Sequence, residues 1–172
     1  MHIREVGPSD GPLLEALFRC LSPRSIYNRF LAPVRHLDDG RIHALTHMDP
    51  TIEFALAAYR RSERGEYLLG VGRMHRVGPE EAEMAIVVGD AWQRLGIGSL
   101  LLREVVRRAR DTGIRWFLST VDPNNLPLLR FAEAVGFKGA LHYRDGLLWM
   151  RTDVEALFPA PGEDWRSRTP RA

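Results

Sequence analysis

The stretch EMAIVVGDAWQRLGIGS, residues 83–99, decides the fold that we predict for the whole chain. Its first part, 84–88, is a short apolar run rich in β-branched residues and closed by Gly89, which is typical of a buried strand. From 99 to 110 the apolar residues recur with helical spacing, and arginines occupy the outer surface and the end of the run. The segment is therefore predicted to form a strand, a turn and a helix in that order.

Gln93, Gly96 and Gly98 lie in the turn between the predicted strand and the predicted helix. Glycine lets the backbone approach a ligand closely, and the first turn of a helix leaves N–H groups unpaired. We therefore predict an anion cradle, best suited to a phosphate or pyrophosphate. A tight turn without a ligand is the alternative that the spacing leaves open. The segment lacks the Gly-Lys-Ser/Thr of a nucleoside-triphosphate P-loop and the third glycine of the dinucleotide fingerprint.

This glutamine and glycine spacing resembles the acyl-coenzyme A loop of the GNAT N-acetyltransferases, whose pattern is Gln/Arg-x-x-Gly-x-Gly/Ala. Two further segments carry the resemblance. SPRSIYNRF, residues 22–30, is similar to a segment of the bacterial Pat-type protein lysine acetyltransferases, and 125–137 resembles the family's Asn, Glu and Gly-Phe segment. Together these similarities extend over nearly all of residues 1–152.

The resemblance implies an α/β (α+β) fold with a mixed, twisted sheet of six to seven strands flanked by helices. In the family the fourth and fifth strands splay apart to admit the acyl-thioester arm, and here those strands would be 82–88 and 114–121. We expect one acetyltransferase domain over 1–158 and a C-terminal tail over 159–172, which is rich in Pro, Gly and charge and whose Trp165 could dock on a surface.

Acetyl-coenzyme A is the cosubstrate that the resemblance implies. Backbone groups of the fourth strand would pair with the pantetheine amides, and the N–H groups of the loop would hold the pyrophosphate, with Arg94 adding charge. The predicted cofactor-binding residues are Ile86, Val87, Val88, Gln93, Arg94, Leu95, Gly96, Ile97, Gly98, Ser99 and Asn125.

Glu83 is the predicted catalytic residue. A lysine amine with a pKa of about 10.4 is mostly protonated at neutral pH, and freeing it costs roughly 4 to 5 kcal/mol, so a general base is useful. Glu83 resembles the catalytic glutamate of the Pat-type enzymes, and the alternative is a solvated residue in an acidic cluster. Asp122 is the reserve candidate. Ala132 stands where many family members carry a tyrosine that protonates the leaving thiolate, so that acid is absent from its usual position.

The remaining elements are predicted from periodicity and capping residues. Ser9 or Asp10 is expected to cap the first helix, which carries Cys20 as a thiol near the core. The other predicted elements are a first strand over 2–6, a helix capped by Ser22, a helix over 41–47, a hairpin of 52–60 with 67–77, a helix capped by Asn124 or Asn125, and a final hairpin of 137–143 with 147–152.

Composition excludes several classes of function. The 172 residues carry a formal net charge of +2 and no basic run interleaved with aromatics, so we expect no nucleic-acid partner. We expect no membrane span, because no apolar run approaches about 20 residues, and with a single cysteine the protein is expected to be cytoplasmic. His43 and His47 have a spacing compatible with metal ligands, but without a third ligand we expect no metal.

Three functional hypotheses remain open. The first is transfer of acetyl to protein lysine amines by direct attack in a ternary complex, with an acyl-coenzyme A synthetase as one candidate partner. The second is acetylation of a small amine such as a polyamine, an aminoglycoside or an amino acid. The third, raised by Ala132, is a coenzyme A binding or sensing module without turnover. The protein is expected to be a monomer or a homodimer.

Overall fold

The computed structural model describes residues 1–63, 65–137 and 139–158. Within them the strands are β1 His2–Glu5, β2 Glu53–Ser62, β3 Gly65–Arg76, β4 Glu81–Val88, β5 Trp116–Val121, β6 Gly139–Arg144 and β7 Leu147–Asp153. The helices are α1 Gly11–Arg19, α2 Pro23–Phe30, α3 Asp39–Thr46, α4 Ile97–Asp111 and α5 Leu126–Ala134. No helix in these ranges combines the length and the apolar character needed to cross a bilayer.

One mixed sheet organises these elements. Its strands lie in the order β1-β2-β3-β4-β5-β7-β6, which makes seven strands within the described part of the chain. The pairs are antiparallel except β4 with β5, which are parallel because α4 carries the chain back between them. The predicted mixed sheet flanked by helices is confirmed.

Helices cover the two faces of the sheet unequally. On one face α4 buries its apolar stripe against β2 to β5, with Leu101, Leu102 and Val105 fully buried. On the other face α1 packs on β2 and β3 through residues such as Leu14 and Leu17. Strand alternation puts Phe54, Met74 and Ala82 under α4 and their sequence neighbours on the opposite face.

The contact between α4 and β3 depends on two glycines. A Cβ at Gly70 would meet the carbonyl oxygen of Val87 at 2.7 Å, and one at Gly72 would meet Val105 Cγ2 at 3.0 Å. Both distances are shorter than an ordinary van der Waals contact, so an added Cβ at Gly70 would press on β4 and one at Gly72 would press on α4. The position of α4, and of the turn that precedes it, is therefore fixed by the glycines of its neighbour strand.

Three predictions about the ends of the chain need comment. The side chain of Asp10 does not cap α1, because Arg4, the Gly7 amide and Tyr59 take up its carboxylate. The expectation of a thiol near the core was wrong: Cys20 ends α1 and is exposed, since the apolar stripe of the helix faces away from it. The proposed tail and Trp165 lie outside the described residues, so the predicted boundary at 158 stays a prediction.

Candidate active site

Strands β4 and β5 part after three paired positions. The parallel ladder joins Glu81 to Trp116, Ala82 to Phe117 and Glu83 to Leu118, and it ends there although both strands continue. The carboxyl ends of the two strands are thus separated by a gap. The splay expected from the family resemblance is confirmed, and it begins at Glu83.

Backbone groups of β4 face this gap at every second residue. The Gly89 amide donates to the Leu69 carbonyl at 2.9 Å, so the odd-numbered residues of β4 turn their polar groups to β3. From the other side, Ser119 Oγ donates to the Met84 carbonyl at 3.3 Å. Ile86 and Val88 share the parity of Met84, so their backbone groups face the gap, whereas those of Val87 belong to the β3 ladder.

The turn between β4 and α4 is tight and passes through left-handed backbone conformations, as its glycines predicted. Arg94 and Gly96 adopt left-handed conformations with φ of 62° and 82°, and Gly96 occupies the N-cap position of α4. The Leu100 amide donates to the Gly96 carbonyl at 3.1 Å as the helix begins, so the amides of 97–99 precede its regular hydrogen bonds. A left-handed conformation and an exposed backbone explain the glycine at 96.

Asp90 and Gln93 connect this turn to α2. The Asp90 carboxylate accepts hydrogen bonds from the Ser22 amide, the Ser25 hydroxyl and Gln93 Nε2, the last at 2.9 Å. Burial alone would raise the pKa of Asp90, but these hydrogen bonds outweigh it and hold that pKa below its ordinary value. Gln93 Nε2 also donates to the Val88 carbonyl at 3.1 Å. The side chain of Gln93 therefore shapes the turn from within the protein.

Beside the gap lies a cleft of about 530 Å³ on the face of the sheet that carries α1, α2 and α3. Glu83 is an exposed residue of its wall, and Ser119 and Thr120 line it from β5. The other polar or aromatic wall residues are Arg29, Glu53, Arg73, His75 and Trp149. The Glu83 carboxylate therefore lines the cleft at the position where β4 and β5 separate.

A charged group of three residues stands next to Glu83 on the same face. His75 is the β3 partner of both Glu83 and Glu53 in the two ladders. Glu53 Oε2 accepts from Arg73 Nη2 at 2.7 Å and from His75 Nδ1 at 3.0 Å. Burial raises the pKa of Glu53, but the hydrogen bonds from Arg73 and His75 outweigh it and leave that pKa below its usual range. With Nδ1 donating, Nε2 of His75 is the nitrogen that can accept a proton.

The remaining predicted residues lie at the far end of the gap. Asn125 is buried and caps α5, because its Oδ1 accepts from the Leu128 amide at 3.3 Å. Asp122 accepts from the Asn124 amide at 2.8 Å in the turn before that helix, and it is not among the described residues that line the cleft. Ala132 is buried in α5, so the place of the family tyrosine holds only a methyl group.

These features suit an extended thioester ligand that ends in a diphosphate. The unpaired edge of β4 offers amide and carbonyl groups to an arm lying in the gap, and the turn before α4 offers amides to an anion. A Cβ at Gly98 would come no closer than 3.8 Å to its neighbours, so nothing in the described residues crowds this end of the helix. The edge of β4 and the turn before α4 are therefore compatible with acetyl-coenzyme A, and the residues named to hold it stay a prediction. No cluster of three or more His, Cys, Asp or Glu side chains suited to a metal occurs in the described ranges.

Sequence reasoning named Glu83 and the loop, but it did not name Glu53, Arg73, His75 and Trp149, which line the same cleft as Glu83. The signal was available, since Arg73 and His75 interrupt an apolar strand at alternate positions and so share one face. The sequence did not predict that this face of β3 borders the open cleft beside β5.

Comparison with known proteins agrees with this geometry. The sequence model of the Acetyltransferase (GNAT) family matches residues 20–137. The crystal structure of the GNAT domain of S. lividans PAT superposes with a TM-score of 0.80 at 29% identity, over 88% of this chain and 89% of that one. The structure of yncA from Salmonella typhimurium, solved with its cofactor acetyl-CoA, gives a TM-score of 0.68 at 18% identity, over 89% and 93% of the two chains.

Among curated proteins, an acetyltransferase of Pseudomonas aeruginosa is 26% identical over 120 residues, which are 69% of this chain. The match spans 64% of that relative's own length, which is less than two thirds. The family model, by contrast, covers more than half of the present chain and includes the splayed strands and the turn before α4. Sequence and structure together therefore show that this chain belongs to the GNAT acetyltransferase family.

Proposed function

We propose that the protein is an acetyl-coenzyme A-dependent N-acetyltransferase that acts on lysine amines of a partner protein. One observation carries the proposal: the gap between β4 and β5 opens beside Glu83, so the cofactor edge of β4 and the wall of the cleft meet at one residue. The similarity of 22–30 to the Pat-type enzymes supports protein lysine as the acceptor, and an acyl-coenzyme A synthetase is a candidate partner. The proposal places the protein in the cytoplasm, where an exposed thiol such as Cys20 stays reduced.

In the proposed site the cofactor supplies an acetyl group activated as a thioester. The backbone groups of Ile86 and Val88 hold its arm in the gap, and the amides of 94–99 hold its diphosphate, with Arg94 adding positive charge and Gln93 fixing the turn. Asn125 keeps the start of α5 at the far end of the gap. We retain Leu95, Ile97, Gly98 and Ser99 as parts of this cradle, and Val87 as packing beneath it.

Glu83 acts on the acceptor. Its carboxylate takes one proton from the lysine ammonium, directly or through one water, so that the neutral amine can attack the acetyl carbonyl. As the carbon–sulfur bond breaks, the nitrogen gives a second proton to water and the amide is formed. Thiols titrate near pH 8.5, so the departing sulfur is a weak base. Ala132 has no proton to give, and water supplies it. His75 is the second candidate base, because its Nε2 faces no described partner and Glu53 supports its other nitrogen.

An acetyl-transfer screen tests the proposal. The protein is mixed with acetyl-coenzyme A and a cell extract, release of free thiol is followed with time, and modified lysines are mapped by mass spectrometry. Time-dependent acetylation of particular lysines is expected. Acetylation of small amines alone would move the acceptor to the small-molecule class, and cofactor binding without release of free thiol for any acceptor would leave a binding module.

A further inference from the structure

We propose that Arg29 recognises a carboxylate on the acceptor, so that the acceptor is an amine with a carboxylate group close to it. The inference rests on the proposed function only in taking the occupant of the cleft to be an amine acceptor. The carboxylate can come from a free amino acid or from an acidic residue beside the acceptor lysine in a protein. In both cases the group that Arg29 would bind is a carboxylate.

Arg29 occupies the boundary between an apolar interior and the cleft. It lies in the last turn of α2, which Leu31 ends in a left-handed conformation with φ of 50°. On one side it borders a small void of about 50 Å³ lined mainly by apolar side chains such as Leu14, Phe18 and Val71. On the other side it forms part of the cleft wall. The Arg29 side chain therefore lies between apolar surroundings and the cleft that we take to be the acceptor space. A long side chain of this kind can bury its apolar stem while its charged end stays near polar space.

The guanidinium of Arg29 has no hydrogen-bond or ion-pair partner among the described residues, and its central carbon lies 5.1 Å from the centroid of the Phe30 ring. Neighbouring Arg73 is different, because Glu53 and the Ala44 carbonyl accept its hydrogen bonds at 2.7 and 3.2 Å. Burial, and then the charge of Arg73, lower the pKa of Arg29 to about 10. Arg29 is thus still a cation at neutral pH, in a place where a positive charge is disfavoured and where no carboxylate among the described residues pairs with it.

Among the described residues, two charged side chains of the cleft remain without an ion pair, one negative and one positive. Glu53 neutralises Arg73 and also accepts from His75. The cleft charges not taken up by these pairs are Glu83 and Arg29, which form no ion pair with each other. An acceptor that presents an amine to Glu83 and a carboxylate to Arg29 satisfies both. A guanidinium matches a carboxylate with two parallel hydrogen bonds, which an uncharged amide cannot reproduce.

The experiment compares reaction products that differ only in this charge. Nα,Nε-diacetyl-lysine represents the free amino acid, and a blocked Nε-acetyl-lysyl-glutamate represents the acidic protein site. Each is paired with its uncharged analogue, the lysine carboxamide or the glutamine peptide. All four are titrated by calorimetry into the full chain saturated with coenzyme A. The variants are Arg29→Met, which keeps the apolar stem, Arg29→Lys, which keeps the charge, and Arg35→Met as a control at an exposed arginine away from the cleft.

At least one acid is expected to bind the wild type about 10-fold or more tightly than its uncharged analogue, as for a charge-assisted pair. Arg29→Met should abolish the preference without changing affinity for the analogue, Arg29→Lys should keep part of it, and Arg35→Met should keep all of it. Equal binding of acid and analogue in both pairs, or a preference that survives Arg29→Met, would overturn the inference. These are binding measurements, so loss of acetyl transfer to every amine would count against the proposed function and not against this reading of Arg29.

Discussion

Glu83 combines three properties at the scale of a single residue. It is the last residue of β4 that pairs with β5, its side chain is exposed, and it belongs to the wall of the cleft. A carboxylate at this position can accept a proton from an amine without breaking an existing interaction, because the described structure shows no hydrogen bond or ion pair of the Glu83 side chain. These properties favour a role as general base over a purely structural role.

We predict that Glu83→Gln lowers turnover by about 10²- to 10⁴-fold at neutral pH, the usual contribution of general-base catalysis. The substitution keeps size and removes basicity, so affinity for acetyl-coenzyme A measured by calorimetry should not change. Raising the pH should partly restore the variant, because more of the acceptor amine, with a pKa of about 10.4, then arrives deprotonated.

Glu80→Gln is the matched control for this experiment. Glu80 is an exposed member of the same acidic cluster and does not line the cleft, so its variant should behave as the wild type. If Glu83→Gln keeps wild-type turnover over the whole pH range with chemistry rate-limiting, the base lies elsewhere, and His75→Gln becomes the next variant to measure.

A second prediction at this scale concerns Gly98. Its missing Cβ would make only ordinary contacts, and an acidic side chain suits the first turn of a helix, so Gly98→Glu should fold normally. The added charge should repel the diphosphate and lower affinity for acetyl-coenzyme A by about 10-fold or more. Gly98→Gln separates size from charge and should lose less. Unchanged calorimetric affinity in a folded Gly98→Glu protein would contradict the assignment of the cradle.

The residues that could be predicted from sequence lie in one continuous segment. Glu83, Gln93 and Gly98 belong to one strand-turn-helix unit. Their relative positions therefore follow from the local geometry of that unit. Arg29 and Glu53 join them only through packing of α2 and β2 against the same region, and no periodicity in either segment records that packing. Such residues become visible once the order of strands is known.

At the scale of elements, α2 and the turn before α4 behave as one unit. Ser22 caps α2 by accepting from the Ser25 amide at 3.3 Å, and the Ser22 amide and Ser25 hydroxyl both donate to Asp90. The helix that carries Arg29 is therefore attached by its first turn to the segment that carries Gln93. The proposed acceptor and cofactor sites are therefore connected through these hydrogen bonds.

We predict that Asp90→Ala weakens acetyl-coenzyme A binding by roughly 5-fold or more, since at least one net hydrogen bond of about 1 kcal/mol no longer orders the turn. Backbone amides of α2 should exchange faster with deuterium in the same variant. Glu104→Gln, which removes an exposed ion pair with Arg107 on α4, should change neither quantity. Normal exchange in α2 of the Asp90→Ala protein would show that the two elements are independent.

Sequence predicted these elements well where one residue settles a boundary. Ser22, with proline after it, was expected to cap α2, and it does. Asp10 occupies the N-cap position of α1 as expected, but its side chain makes no cap hydrogen bond, because Arg4 and Tyr59 bind its carboxylate instead. Phe137, which was expected to begin the final hairpin, lies outside the described strand β6.

At the scale of the whole molecule, the Asp10 carboxylate joins the N-terminal region to the sheet. The side chain is only 2% exposed and accepts from both terminal nitrogens of Arg4 at 2.8 Å, from the Gly7 amide at 2.8 Å and from the Tyr59 hydroxyl at 3.0 Å. Arg4 above all, with the Gly7 and Tyr59 donors, lowers the pKa of Asp10 against the opposing effect of burial. Burial and Asp10 in turn raise the pKa of Tyr59.

This network predicts a loss of stability in acid. A carboxyl group whose folded pKa is lowered contributes stability in full above its unfolded pKa of about 3.9, and the contribution disappears as pH falls through the folded value. Asp10→Asn should therefore unfold more easily in urea at pH 7, by about 1 to 3 kcal/mol. The two proteins should converge below pH 4. Asp145→Asn, in an exposed turn, is the control with little expected effect, and a gap that persists in acid would contradict the assignment.

The glycines of β3 also limit how this protein can change. Glycine inside a strand costs roughly 0.5 to 1 kcal/mol relative to alanine, so Gly70 and Gly72 look like simple targets for thermostabilisation. An alanine at Gly70 would collide with the Val87 carbonyl of β4, and one at Gly72 would require Val105 of α4 to move. Stabilising substitutions, whether natural or designed, therefore have to be sought in the outer strands and surface loops. We expect this part of the sheet to be the region of the protein that tolerates the fewest substitutions.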